Sequence, residues 1–462
     1  MLYIDELKIE KLLEAAKNAP GSALDAALAK AKALKRLSLE ETTVLLNASQ
    51  PDEVARIFEA ASFVKDAIYG KRVVLFAPLY ISNLCQNNCL YCAFRQGHAG
   101  IERKALTQDE IRAQVKWLLG RGHKRILMVA GESVSEMHGV DYYVESIKTI
   151  YAAASGPHRI RRVNINCAPL SVTEFKKLKA AGIGTYQLFQ ETYHDATYRA
   201  MHPSGPKSDP ENRINAIDRA FAAGIDDVGI GALFGLYDWK FEVLAMLMHV
   251  EHLESAFNVG PHTISVPRLE PASGSEVALH PPHAVSDEDF KKIVAVIRLS
   301  IPYTGIILST RESPAMRDEL FELGVSQISA ESRTAPGGYS PCEERCPDNT
   351  QFSVSDMRSL DEVIASLITK GFMPSFCAAC YRKSRTGEAF MSLAKPGTIK
   401  GKCSMNALIT LKEYLDDFAS QAVKQQGYQL ISRMKQTLKP QEQIRLQRFF
   451  EEIDRGVRDD YV

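Results

Sequence analysis

Ser82-Asn83-Leu84-Cys85-Gln86-Asn87-Asn88-Cys89-Leu90-Tyr91-Cys92 places three cysteines within eight residues, in the spacing C-x3-C-x2-C. Three thiolates can hold three corners of a cubane iron–sulfur cluster and leave the fourth iron without a protein ligand. An open metal position suits a reactive site, whereas four protein ligands make a closed, structural or electron-carrying one. Zinc is the competing assignment, but zinc sites favour paired C-x2-C halves with a fourth ligand, and no such partner lies nearby. Chance clustering is the other, and the nine cysteines of a 462-residue chain would rarely fall so close.

The strand-like run Val73-Val74-Leu75-Phe76 leads into this loop. Downstream, short apolar runs alternate with amphipathic stretches. Ile126–Val129, Val163–Asn166, Tyr186–Phe189, Val228–Leu233, Thr263–Val266, Gly305–Leu308 and Val325–Ser329 read as seven further strands. Helical stretches separate nearly all of them, such as the capped segment after Thr107-x-x-Glu110 and the one running from Ser171 to Ala181. Eight strand–helix units predict an α/β fold, a TIM-type (β/α)8 barrel over residues 71–335. A doubly wound sheet is the alternative, but no glycine-rich dinucleotide fingerprint follows the first strand. Barrel active sites lie just past the strand C-termini. Cys85–Cys92, Gly131-Glu132, Gln190-Glu191, Arg268, Ser309-Thr310-Arg311 and Ser332-Arg333 all fall there.

Outside the barrel, residues 1–70 read as a helical extension that caps it, and 336–462 as a mostly helical domain holding a second cysteine set. A Gly/Pro-rich connection with Cys342 and Cys346 precedes Cys377-Ala378-Ala379-Cys380, and Cys403 follows, giving C-x2-C-x22-C. The polar segment between reads as a loop wrapping a second cluster with one unprotected iron. A zinc site completed by Cys342, Cys346 or a histidine is the alternative. Those two cysteines otherwise read as free thiols.

With 45% hydrophobic and 24% charged residues, the composition is that of a soluble globular protein. Net charge is zero and there is no Lys/Arg run, which argues against a nucleic-acid partner. The N-terminus has no secretory pattern and no stretch reaches membrane-spanning length, so a cytoplasmic protein with no membrane partner is expected. In that reducing setting the cysteines favour metal over disulfides. Oxygen-labile clusters further suggest an anaerobic cell.

The first cysteine loop resembles the radical S-adenosylmethionine (SAM) signature, including aromatic Tyr91, where the superfamily contacts adenine. Gly131-Glu132 after the second strand resembles the superfamily's element that receives the methionine ammonium. Asn166, Gln190 and Glu191 are candidates for the ribose or methionine part, or are structural. Together with Tyr186–His194, Met201–Lys207 and Pro261–Arg268, both cysteine motifs resemble the radical SAM tyrosine lyases, and among them the HydG family of iron–iron hydrogenase maturases. The barrel stretches are shared with 2-iminoacetate synthase of thiamine biosynthesis (ThiH), from which C-x2-C-x22-C separates this chain.

The resemblance implies two 4Fe-4S clusters, one on Cys85, Cys89 and Cys92 and one on Cys377, Cys380 and Cys403. It implies that SAM is cleaved to methionine and a 5′-deoxyadenosyl radical, which takes hydrogen from the amino group of L-tyrosine. The Cα–Cβ bond then breaks, p-cresol leaves, and dehydroglycine becomes carbon monoxide and cyanide on iron for the hydrogenase active site (H-cluster). An extra labile iron, bridged by cysteine, with a histidine ligand is implied at the second cluster; His262 or His252 is the candidate, or either is a structural histidine. A ferredoxin or flavodoxin donor and other hydrogenase maturation proteins are the implied partners. For the tyrosine carboxylate, Arg311 with Ser309 and Thr310 suits a clamp, as does Arg268, unless either arginine pairs with Glu270 or Glu312. The competing functions are 2-iminoacetate synthesis with one essential cluster, and a non-catalytic iron–sulfur carrier.

Overall fold

Strand β1 (Arg72–Ser82) is buried along its whole length, as expected of a parallel strand covered on both faces. The computed structural model describes residues 1–133, 138–339 and 349–462, so Cys342 and Cys346 lie outside the described residues. After β1 come β2 (Arg125–Ala130), β3 (Arg162–Asn166), β4 (Tyr186–Gln187), β5 (Val228–Gly231), β6 (Thr263–Ser265), β7 (Gly305–Leu308) and β8 (Val325–Ser329). All pair in parallel with their sequence neighbours, and β8 closes on β1 through Val74–Gln327, Leu75–Ile328 and Phe76–Ser329. The (β/α)8 barrel is therefore complete, with each strand where the sequence places it.

Several elements differ from expectation. Strand β4 is regular over only two residues; beyond it Leu188 and Gln190 still donate to the carbonyls of Gly229 (2.9 Å) and Gly231 (3.0 Å), and Glu191 takes a left-handed conformation (φ 72°). Segment 349–376 is more than a connection: helix Leu360–Thr369, closed by a Ser359/Glu362 capping box, leads to a ninth strand, β9 (Met373–Ser375). This strand pairs with Arg72–Val74, the part of β1 that projects below the barrel. Its Pro374 is tolerated because β9 is an edge. Nor is the segment after Cys377 a plain loop. It holds helices Ala379–Arg382 and Gly387–Ala394, and buried Cys403 sits on helix Ile399–Asp417.

The N-terminal helices (Glu6–Ala15, Gly21–Lys32, Leu39–Asn47, Pro51–Tyr69) pack on the barrel's flank rather than closing an end. Buried Lys292 of helix Asp287–Ser300 donates to the carbonyl oxygens of Leu46 (2.9 Å) and Ala48, and Thr42 bonds Ser300 (2.9 Å). Among the described residues no helix is long and apolar enough to cross a membrane.

Candidate active site

At the C-terminal ends of the strands, a cavity of about 1380 Å³, open mouth included, is lined by Cys85, Cys89, Tyr91, Cys92, Gly131, Glu132, Asn166, Glu191, Ser309, Thr310 and Arg311. Most of the expected residues are thus brought together. Two are not. Gln190 is buried outside the cavity, its amide 3.3 Å from the Pro210 carbonyl. Arg268 does not line the cavity either: its guanidinium forks onto Glu312, with Nε at 3.0 Å, and also meets Asp287 at 2.8 Å. The expected substrate role for Arg268 is therefore corrected to an ion pair.

The cysteine loop has little regular structure, so its shape comes from its neighbours. Leu90 N–H reaches the Met201 carbonyl (3.0 Å), Asn88 N–H the Ser204 carbonyl (3.1 Å) and Gln86 N–H the Glu132 carbonyl (3.1 Å). Arg103 clamps the far side, donating to the carbonyls of Asn83 (2.9 Å) and Phe94 (2.7 Å). Two glycines permit this closeness. A Cβ on Gly131 would stand 2.3 Å from the Leu84 carbonyl oxygen, and one on Gly205 (φ 94°) 2.4 Å from that of Gln86. The hydroxyl of Tyr91 is 2.7 Å from His202 Nε2, while His202 Nδ1 lies 2.7 Å from the Tyr198 carbonyl. A carbonyl only accepts, so Nδ1 carries the proton and the tyrosine donates to Nε2.

Burial pushes the thiols of Cys85, Cys89 and Cys92 up to about 11. They are neutral at pH 7 until a metal displaces their protons. All three line one cavity, yet among the described residues no three Cys, His, Asp or Glu side chains converge as ligands of a single ion. A cluster that takes one thiol per iron fits this set.

Beside the thiols lies a buried charge network that the sequence reading missed. Glu132 accepts from Arg213 (2.7 Å) and Asn87 (2.7 Å), and Glu191 accepts from Lys207 (2.6 Å). Burial alone would raise the Glu132 carboxyl, but Arg213 and Lys207 outweigh it and hold it low. Lys207 ends the Met201–Lys207 stretch, which gave a hint of it. Arg213 sits in the short helix Pro210–Ile214, away from any strand end, and gave none.

Behind the network, Glu242 of helix Trp239–Phe257 accepts from the Thr192 hydroxyl and the Tyr193 N–H (2.9 Å), so it anchors the chain next to strained Glu191. Burial pushes its carboxyl from 4.5 up to about 8. Between those values the folded chain holds a proton that the unfolded chain has released, so stability falls as pH rises through this window. Glu242→Gln is expected to flatten that fall and to gain about 2–4 kcal/mol over wild type at pH 8.5. Denaturant unfolding at pH 5.5 and 8.5 measures it; equal differences at both pH values would show that Glu242 is not the group responsible.

Arg311 is the cationic side chain turned into the cavity near Ser309 and Thr310. It lies 3.4 Å from the Phe352 ring, makes one long hydrogen bond to the Arg268 carbonyl (3.3 Å), and has no ion-pair partner among the described residues. It is suited to a ligand carboxylate, next to the aromatic walls Tyr80 and Phe352.

The second cysteine set lies at the opposite, N-terminal mouth of the barrel. Cys377, Cys380, Cys403 and His262 line one cavity there, below the first on the same axis. On β1, Val74 lines the lower cavity and Phe76 the upper, two residues or about 7 Å apart. Burial pushes His262 down to about 4, so the imidazole is neutral, as a metal ligand must be. His252 is elsewhere, bonded to Asp218 (2.9 Å) and stacked on Tyr3.

A profile of the radical SAM superfamily matches residues 79–248, and one of the biotin and thiamin synthesis associated domain matches residues 265–373. The 2-iminoacetate synthase of Escherichia coli (strain K12) is 32% identical over 340 residues, 73% of this chain and 86% of that protein. A crystal structure of HydG, a maturase of the [FeFe]-hydrogenase, is 47% identical with a TM-score of 0.96 and covers 100% of both chains. HydG from Carboxydothermus hydrogenoformans is 41% identical with a TM-score of 0.84, over 96% of this chain and 97% of that one. The thiol-lined barrel cavity and these matches together place the chain among the radical SAM enzymes, in the branch that holds 2-iminoacetate synthase and the maturase HydG.

Proposed function

We propose that this enzyme cleaves the Cα–Cβ bond of L-tyrosine to p-cresol and dehydroglycine, and that the fragment is converted to carbon monoxide and cyanide on iron for the hydrogenase active site. The observation that carries this reading is the pair of thiol-lined cavities stacked on one barrel axis. The likeness to HydG extends over the whole chain, second cysteine set included, whereas the alignment with 2-iminoacetate synthase takes in 73% of it. Cys85, Cys89 and Cys92 would hold the first cluster; with SAM, that cluster supplies a one-electron reduction that yields the hydrogen-abstracting radical. Glu132 and Glu191, fixed by Arg213 and Lys207, present carboxylate oxygens toward the ammonium and hydroxyl groups of SAM. Arg311 holds the tyrosine carboxylate, which points the amine into the cavity, and Tyr80 and Phe352 exclude water around the ring. Cys377, Cys380 and Cys403 would hold the second cluster, with neutral His262 available to an added iron. A cytoplasmic, anaerobic setting and a low-potential ferredoxin- or flavodoxin-type donor belong to the same reading.

A single-cluster tyrosine lyase that stops at 2-iminoacetate is the alternative. Carbon monoxide and p-cresol, followed together in anaerobically reconstituted protein, separate the two. Cys377→Ala/Cys380→Ala is expected to keep most p-cresol formation and lose carbon monoxide. If wild type makes p-cresol and no carbon monoxide, the single-cluster lyase is the correct reading.

A further inference from the structure

One side chain, Gln351, ties the first cysteine loop to the opposite wall of the upper cavity. Cys85 takes hydrogen bonds from the backbone N–H groups of Asn87 and Glu132. Cys92 takes one from the backbone, Phe94 N–H at 3.4 Å, and another from a side chain, Gln351 Nε2 at 3.6 Å. Backbone donors are fixed by the fold of the loop, whereas a side-chain amide can turn away unless it is held. Tyr80 holds this one, its hydroxyl 2.7 Å from Gln351 Oε1. A metal-bound thiolate only accepts, so the amide aims its NH₂ group at Cys92 and its oxygen at Tyr80, which donates. The main chain of Gln351 is fixed as well: its N–H reaches the Thr334 carbonyl (2.9 Å), and its carbonyl receives Ala93 N–H (3.4 Å). The next residue, Phe352, carries the Arg311 guanidinium on its ring. Tyr80, Phe352 and Arg311 form the wall assigned above to the substrate, and all three line the cavity together with Gln351 and Cys92.

Hydrogen bonds to ligand sulfurs are among the groups that set the reduction potential of an iron–sulfur cluster. An N–H on a thiolate stabilises the more negative, reduced state, so it raises the potential and makes the cluster easier to reduce. We infer that Gln351 is a positioning residue for the reduction step: its amide, oriented by Tyr80, donates to Cys92 and sets how readily the first cluster accepts an electron. The chain Tyr80–Gln351–Cys92 then links the wall that packs against the substrate ring to a ligand of the metal. Gln351 acts through Cys92 and needs no contact with the reacting atoms. The inference deepens the proposed function and rests on it only for the identity of the ring on that wall.

The test uses full-length reconstituted protein carrying Cys377→Ala/Cys380→Ala, so that only the first cluster contributes to the electron paramagnetic resonance spectrum. Samples poised at fixed potentials give the reduced fraction without turnover. In Gln351→Leu the ratio of reduced to oxidised cluster at a given potential is expected to fall roughly 3–10-fold, a shift of about 30–60 mV to lower potential for one electron. Tyr80→Phe, which removes one hydroxyl and keeps the ring, is expected to shift it the same way by less. Because Tyr80 acts through the amide, the double variant should shift no further than Gln351→Leu alone. Wild-type potentials in both single variants, at unchanged iron content, overturn the inference, as does full additivity in the double variant. Where Gln351→Leu fails to assemble the cluster, Tyr80→Phe decides, and an unchanged potential there overturns the inference. No tyrosine enters the measurement, so the two readings fail separately. Shifted potentials in an enzyme that makes no p-cresol sink the lyase reading and leave the role of Gln351 standing; unshifted potentials in one that makes p-cresol do the reverse.

Discussion

Cys89→Ala is expected to abolish reductive cleavage of SAM while leaving the chain folded. Cys89 lies at the centre of the loop, 6% exposed, and beyond its two neighbours Cys85 and Cys92 no cysteine lies nearby in the sequence to replace it. Loss of an outer partner of a metal ligand costs about 10–100-fold in affinity or activity. Loss of a ligand itself should cost more than roughly 10³-fold in 5′-deoxyadenosine formation. The packing loss is small, about 1 kcal/mol, because a thiol is replaced by a methyl group. Chromatography of 5′-deoxyadenosine, with iron analysis and a thermal melt, checks all three points. A variant that retains cleavage would show that this loop is not the seat of the cluster.

The second large effect concerns the substrate. Arg311→Ala should raise the KM for tyrosine by about 10–100-fold, the equivalent of one charge-assisted carboxylate contact of roughly 1.5–3 kcal/mol. SAM affinity should change far less, because Arg311 makes no hydrogen bond to Glu132 or Glu191, and its charge reaches Cys92 and Glu191 only through space. Arg311→Lys should recover only part of the loss, since an ammonium cannot make the paired contact or stack on Phe352. Steady-state p-cresol formation against tyrosine concentration measures this. An unchanged KM would assign the carboxylate to another group.

How far the sequence reached depends on the range of its signals. Buried parallel strands are continuous apolar runs, so all eight barrel strands could be read, and barrel geometry then collects whatever lies past their ends. That logic collected Cys85, Glu132, Glu191 and Arg311, which line one cavity. It failed for Arg268, which also lies just past a strand, because position cannot show that Glu312 already holds the guanidinium. It failed for Lys207 and Arg213, which reach the cavity from helical turns whose long side chains the strand rule ignores. Strand β9, with three residues and a proline, falls below any periodicity, and with it went the means of seeing how Cys377 is carried to the barrel mouth. The position of His262 was legible, since it precedes β6 and so belongs at the end opposite the first cluster.

The central claim is that this cavity aims a SAM-derived radical at the amine of tyrosine. It is tested most directly by anaerobic turnover of the reconstituted enzyme with SAM, L-tyrosine and a reductant in D₂O, where the amine hydrogens exchange and the carbon-bound ones do not. The account predicts p-cresol together with 5′-deoxyadenosine carrying one deuterium. Unlabelled 5′-deoxyadenosine, or 5′-deoxyadenosine with no p-cresol, would contradict it.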